Sequence, residues 1–336
     1  MKKYSYVLII IFINILLSSC SSLLFTTLDV LRPAQVAFPP EINNLLIVNN
    51  TPQDSIQPSK KSFTKDSLSI YCLSALTEEL INRGFFQNVL LELNSLNKTQ
   101  NDTSIYYLTP EVVTQLCSNY KSDAILALNK LKETDILTEY FVEDENSFLS
   151  TFEVFIETYW SIHYPDKTDF TILQFKDSMY WESENYSRQA ALAQLPNKID
   201  AQIDAALYAG RNCVKRFVPY WEKVDRYFFN PRNKLMRQAM DSVYYKNWED
   251  AIQLWDKAIQ TTKNTKLQAQ AANNIAIAYE ILGDLDKAIE YATLSLKSFL
   301  NVTTVDKETI TRISNYRNEL IKRKKEIEQL EIQLGE

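Results

Sequence analysis

The segment that most constrains the fold lies late in the chain, between Leu235 and Phe299. It reads NWEDAIQLWDKAI and then, after a gap, NNIAIAYEILGDLDKAIEYATLSLKS. Apolar residues recur there at three- and four-residue steps and are broken by short polar turns, so helix–turn–helix is written nearly twice. A single long helix is predicted to follow, from Thr304 to Leu334. In it Ile313, Leu320, Ile327 and Leu334 recur every seven residues, Tyr316 and Leu330 flank that seam, and Arg323 interrupts a second one. With so few repeats before it, this helix is needed to complete a core and to cap the array. A coiled-coil partner helix is the alternative.

The remainder is large enough for a second domain, since 336 residues correspond to about two. Four glycines are too few for a phosphate-cradling loop or a dinucleotide fingerprint, and neither GxGxxG nor GxxxxGK[ST] occurs. Lys and Arg number 36 against 42 Asp and Glu, a net charge of −6, so no basic stripe exists to neutralise nucleic-acid phosphates. Hydrolytic motifs such as GxSxG and HExxH are missing, and any triad would have to recruit the single histidine, His163. Acidic pairs such as Glu78/Glu79 and Glu153/Glu157 are explained by surface placement as well as by a glycosidase couple. The expectation is a protein that is not an enzyme and has no cofactor and no metal. Cys72, Cys117 and Cys213 sit in apolar helical settings with no metal-ligand spacing and are expected to be inert buried thiols, although one disulfide is an open alternative.

Between the N-terminus and the repeats the pattern changes several times. Lys2 and Lys3 precede an apolar run from Tyr6 to Leu17, which is shorter than the roughly 20 residues that span a bilayer but suits a signal-peptide core. Residues 20–65 are expected to form a tether, extended by Pro33, Pro39 and Pro40, ending in a first strand at Leu45–Asn49 and a polar loop. Residues 66–229 then form an α/β domain. A helix from Asp66 or Ser67 to about Arg83 is stopped by Gly84, and a strand over Phe85–Leu93 follows. Next come a helix opened by Thr109-Pro110-Glu111 and a strand over Ala124–Leu128. Across Thr151–Tyr164 apolar residues alternate with polar ones, which is a half-buried antiparallel strand. Pro165–Thr168 turns it onto Phe170–Trp181. A helix from Pro196 to Pro219 closes the domain, and Tyr220–Tyr227 is expected to be an aromatic connector into residues 230–300 and the cap at 301–336. The fold class is α+β.

Four resemblances add to this reading. Leu17-Ser18-Ser19-Cys20 resembles the bacterial lipobox, which implies removal of residues 1–19 and lipidation at Cys20, leaving 34 basic against 42 acidic residues. By Gram-negative sorting rules, Ser21 after the cysteine implies the outer membrane, and the lack of an acidic run beyond it implies a periplasm-facing anchor. The repeat segment resembles the tetratricopeptide repeat (TPR). Ala251 and Ala288 take the small position where the helices of a pair cross, and Gly283 closes one helix, while Ser242 and Lys246 depart from the pattern. INRGFFQNVLLE and KSDAILAL resemble turns of CsgG-like and LpoB-like lipoprotein modules. Nearly the whole chain is similar to Bacteroidota lipoproteins that join an N-terminal domain of unknown function to TPR-like repeats. That similarity is carried by Leu31–Ala34, Tyr159–Pro165, Asp177 with Trp181, Val218–Trp221 with Arg226, and Asn274–Gly283. The family pattern has Arg where this chain has Ser161. Together these imply a membrane-anchored scaffold or assembly factor for an envelope protein or peptide, with Asn273, Asn274 and Tyr279 as hypothetical contacts on a concave surface. A CsgG-like secretion subunit is the alternative, and an envelope hydrolase a more distant one.

Overall fold

The computed structural model describes residues 22–52, 65–97 and 104–335. They form two compact units, one from residues 22–33 and 220–332, the other from residues 34–219 with 333–335. The expected divisions at 65/66 and 229/230 therefore move to 33/34 and 219/220. No helix of the described residues is long and apolar enough to cross a membrane.

The unit at 34–219 is built on a five-stranded mixed sheet in the order β3-β2-β4-β5-β6. Strand β2 (Asn44–Asn49) pairs in parallel with β3 (Asn88–Glu92) and β4 (Ala124–Val142). Antiparallel pairing then carries β4 to β5 (Ser147–His163) and β5 to β6 (Thr171–Asn185). The continuous apolar runs explain the parallel part. Leu45 to Val48 and Ala124 to Leu128 are fully buried because helices cover both faces. Helices α1 (Lys65–Arg83) and α4 (Lys198–Phe217) cover one face, through Cys72, Leu73, Leu76, Val214 and Phe217 against Leu45, Leu126 and Trp160. Helix α2 (Pro110–Tyr120) covers the other, through Val113 and Cys117 against Leu46 and Ile125. The short α3 (Arg188–Gln194) precedes α4, whose start is capped by Asn197 accepting from the Asp200 amide.

The hairpin expected from the alternation at 151–164 is present, in longer form. Its inward residues Phe152, Val154 and Ile156 lie against Ala201, Ala205 and Ala209 of α4. Strand β4 runs to Val142, far beyond the expected Leu128, because past that point it is covered on one face only and its sequence turns polar. The acidic piece from Glu139 forms the strand's end and a turn at Glu143–Glu145. A bulge at Asn129 marks the change from two-sided to one-sided burial.

The other unit corrects two expectations. Residues 22–32 are not tether but a strand, β1 (Ser22–Arg32), and the connector at 220–227 is its antiparallel partner, β7 (Tyr220–Asn230). Both were concealed for one reason. Their inward positions include Arg32, Glu222 and Arg226, which break the apolar alternation of a half-buried strand. The helices follow as α5 (Lys234–Tyr244), α6 (Trp248–Thr261), α7 (Thr265–Ile281), α8 (Leu285–Leu300) and α9 (Lys307–Leu334). Asn233, Asn247, Asn264 and Asp284 cap the first four by accepting amide protons from the opening turn. Phe228 of β7 stacks on Trp255 at 5.9 Å and enters a core with Met236, Ala251 and Ile275. Ile313 and Leu320 of α9 are buried in the neighbouring clusters, so the long helix completes the core as expected. Between α5 and α6, Lys246 takes a left-handed conformation (φ 58°), as Gly283 does (φ 84°) between α7 and α8.

Candidate functional site

The residues proposed for partner contact are placed unequally. Asn274 is fully buried, its Oδ1 accepting from the Phe229 amide at 2.8 Å and its Nδ2 donating to the Phe229 carbonyl at 2.8 Å. Asn273, also buried, donates to the Tyr227 carbonyl at 3.0 Å. These two amides do bind an extended backbone, but the backbone is the chain's own β7, so the expectation that Asn274 meets a partner is corrected. Without such bonds the free edge of β7 would bury unpaired peptide groups against α7. Tyr279 is half-buried, stacked on Tyr291 at 5.7 Å with Lys287 Nζ 5.0 Å from its ring centre. Cys20 lies outside the described residues.

Around this junction the unit is held by two buried ionic clusters. Glu280 of α7 is fully buried and receives both Arg226 Nε (2.7 Å) and Nη2 (2.8 Å), the Tyr316 hydroxyl (2.9 Å) and Arg323 of α9. Burial and the Glu280 carboxylate push the Tyr316 phenol well above its usual range, so it stays a donor. Arg32 of β1 bonds Glu222 (2.7 Å), Glu326 (2.8 Å) and Glu319. Its charge is opposed by burial but fixed by those three carboxylates. Arg32 and Arg226, two residues that carry the family resemblance, are thus hubs of structure. Asp177 plays the same part in the other unit, pairing with Arg216 (2.8 Å) and Asn212 (2.6 Å).

Between β7, α7 and α9 lies a cavity of about 290 Å³. Phe229, Ile277 and Ile313 supply apolar walls, while Asn273, Arg312 and Asn315 add polar groups. Arg312 stands 5.5 Å from the Tyr227 ring centre, held there by Glu308 at 2.9 Å. Asp225, Glu319 and Arg226 line it as well, so its charges are mixed, and its apolar walls suit an apolar or aromatic side chain better than a reacting substrate. Sequence reasoning missed this cavity because β7 was not recognised as a strand.

His163 lies in the other unit, 2.7 Å from Ser161 Oγ and stacked on Phe170 at 4.7 Å. The Asn129 amide, 2.8 Å from Ser161 Oγ, continues this buried polar chain to Asn50. Desolvation lowers the His163 pKa to about 4, keeping the ring neutral at pH 7. No cationic role falls to Ser161, which is fully buried. Among the described residues there is no group of three or more His, Cys, Asp or Glu that would hold a metal ion. Cys72, Cys117 and Cys213 are free and buried.

A mixed sheet covered by helices in one unit, and a two-stranded ribbon among paired helices in the other, define an α+β protein whose polar hubs serve its architecture. Residues 42–229 match the family model of a domain of unknown function (DUF8603), over half the chain, and the chain belongs to that family. Residues 237–322 match a second model, also a domain of unknown function (DUF6340). None of the curated proteins matches.

Proposed function

We propose that this chain is a lipid-anchored, periplasm-facing scaffold of a Gram-negative outer membrane, and that its TPR-like helical unit seats a segment of an envelope protein. The cavity between β7, α7 and α9 carries this reading: it joins three elements in an apolar recess with Arg312 at its side. Support for TPR-like pairing comes from Ala251 and Ala288, both fully buried, and from the left-handed turns at Lys246 and Gly283. The lipobox at Leu17–Cys20 supports the anchor. In this reading the partner does not lie along Asn273 and Asn274, because β7 occupies them. It places a side chain in the recess beside them, and an aromatic or aliphatic residue is the best complement to the walls of Phe229, Ile277 and Ile313.

The alternative, a CsgG-like pore subunit, would need an apolar outer band on its long strands. The uncovered face of β4–β6 is mixed: Lys132, Glu157 and Lys176 stand side by side in one register row and the exposed Ile136 and Tyr180 flank Glu153 in another, so charge interrupts any apolar band, which favours the scaffold.

Asn315→Trp, an exposed residue at the cavity, tests the proposal by filling the recess from outside. The acylated protein, cross-linked in its own envelope, is expected to lose its partners with this variant and keep them with Tyr245→Ala at the exposed α5–α6 turn. The same partners recovered in equal yield from both would refute the cavity as the seat.

A further inference from the structure

At one end of the β1–β7 ribbon, where Phe228 and Phe229 enter the core, their partners on β1 stay exposed. Leu23 (37% exposed), Leu24 (41%), Phe25 (72%) and Tyr227 (41%) cluster there, and Phe25 and Tyr227 form a cross-strand pair. Further along, the outward face turns polar: Thr27 donates to Asp225 at 2.8 Å, and Asp29 faces Lys223. The apolar cluster at the end where β1 begins is thus separated by these polar pairs from Trp221 (64% exposed) at the ribbon's other end.

We infer that this end of the ribbon is a lipid-contacting surface that rests on an anionic phospholipid leaflet. The inference rests on the lipid-anchor reading above. Its first support is reach. Cys20 precedes Leu23 by three residues and Phe25 by five, and a fully extended chain spans at most about 3.6 Å per residue. Leu23 therefore lies within about 11 Å of the acylated residue and Phe25 within about 18 Å. The interfacial zone of one leaflet is roughly 5–8 Å deep, so even a fully upright chain leaves Leu23 within about 6 Å of it and Phe25 within about 13 Å. An exposed Phe beside a Tyr is the pairing that settles at that boundary, ring in the apolar layer and hydroxyl among the headgroups.

Charge is the second support. The protein carries 42 acidic residues against 36 basic ones, yet no Asp or Glu occurs from Arg226 to Met240, and none on β1 before Asp29. Ser22 pairs with Asn230, so Arg232 and Lys234, both exposed, follow directly at the ribbon's apolar end. The two strand segments at this end thus carry basic and apolar residues without acidic ones, and the nearby Glu308 of α9 is paired with Arg312. Each basic side chain near an anionic surface contributes favourably within a Debye length.

The test uses the full acylated protein carrying Phe25→Cys, labelled with a nitroxide. Labelling is selective because Cys72, Cys117 and Cys213 are buried. Vesicles of phosphatidylethanolamine with phosphatidylglycerol are compared with phosphatidylcholine vesicles, and Tyr244→Cys serves as a reference site. Protein that floats with the vesicles is expected to show, at position 25 only, raised collision with oxygen and at least threefold reduced collision with a water-soluble nickel chelate. Protection is expected to be greater with phosphatidylglycerol and to fall with Arg232→Glu/Lys234→Glu. If the protein floats while position 25 stays as open to the chelate as position 244, the lipid contact is refuted and the anchor stands. Equal protection in both lipids refutes the anionic preference. Protein that does not float refutes the anchor and this inference with it.

Discussion

Gly210→Ala is the substitution whose effect is set most directly by geometry. In α4, Gly210 faces α1, and a Cβ added there would stand 2.1 Å from the Cys72 carbonyl oxygen, 3.0 Å from its carbon and 3.1 Å from the Leu76 nitrogen. Ordinary non-bonded contact is about 3.5 Å, so the two helices must separate by more than about 1 Å. The obstacle is backbone, so trimming a side chain cannot relieve it. Separation would loosen Leu73, Leu76, Cys213 and Val214, all fully buried in one core. Overpacking of this kind costs roughly 3 kcal/mol or more, while replacing a helical glycine by alanine returns about 1 kcal/mol. The net expectation is a loss of about 2 kcal/mol or more. Urea unfolding followed by the fluorescence of Trp160, which packs on Phe217, reports on this unit. A midpoint equal to or above wild type would refute the close approach, and recovery by adding Cys72→Ala would refute its backbone origin.

Glu280→Gln leaves Arg226 and Arg323 buried beside a neutral amide and is expected to lose roughly 3–5 kcal/mol of stability, read as the thermal midpoint of the helical unit. The single histidine gives one imidazole resonance. Its midpoint should fall near 4, not 6.5, so the unfolded state binds the extra proton between those values and stability declines as pH falls from about 6.5 to 4. That loss amounts to up to about 3 kcal/mol, and His163→Gln should flatten the decline. Burial pushes the Cys213 thiol up to about 12 and raises those of Cys72 and Cys117, so iodoacetamide at pH 7.5 should label none of them before denaturant is added. Lys246→Gly relieves a left-handed side-chain position and should stabilise the α5–α6 pair by about 1 kcal/mol, visible as a raised urea midpoint.

Where apolar pattern alone decided the structure, it was legible. The buried runs at Leu45–Val48 and Ala124–Leu128, the alternation of β5 and the helical pairs of 234–300 all follow from periods of two and 3.6. What escaped was the ribbon. Its inward positions hold Arg32, Glu222 and Arg226, and a buried charge is invisible to periodicity because its compensation comes from Glu280, Glu319 and Glu326, far along the chain. Missing β7 also misassigned the amides. Asn274 looks like a polar residue offered to a ligand when no internal backbone is known to need it. The cavity was out of reach for the same reason, since one of its walls is the strand that was not foreseen.

The pairing of Thr27 with Asp225 spans 198 residues of chain, and this orders the events of synthesis. Strand β1 leaves the ribosome first, whereas its partner follows on the order of tens of seconds later at ordinary elongation rates. Over that interval the sheet of residues 34–219 has every strand it needs, while β1 has neither a neighbour nor the helices that bury Val30 and Arg32. Strand β1 is therefore made before the sheet of residues 34–219 and satisfied only after it. A nascent chain stalled before Tyr220 presents an open strand edge to any chaperone that guards such edges.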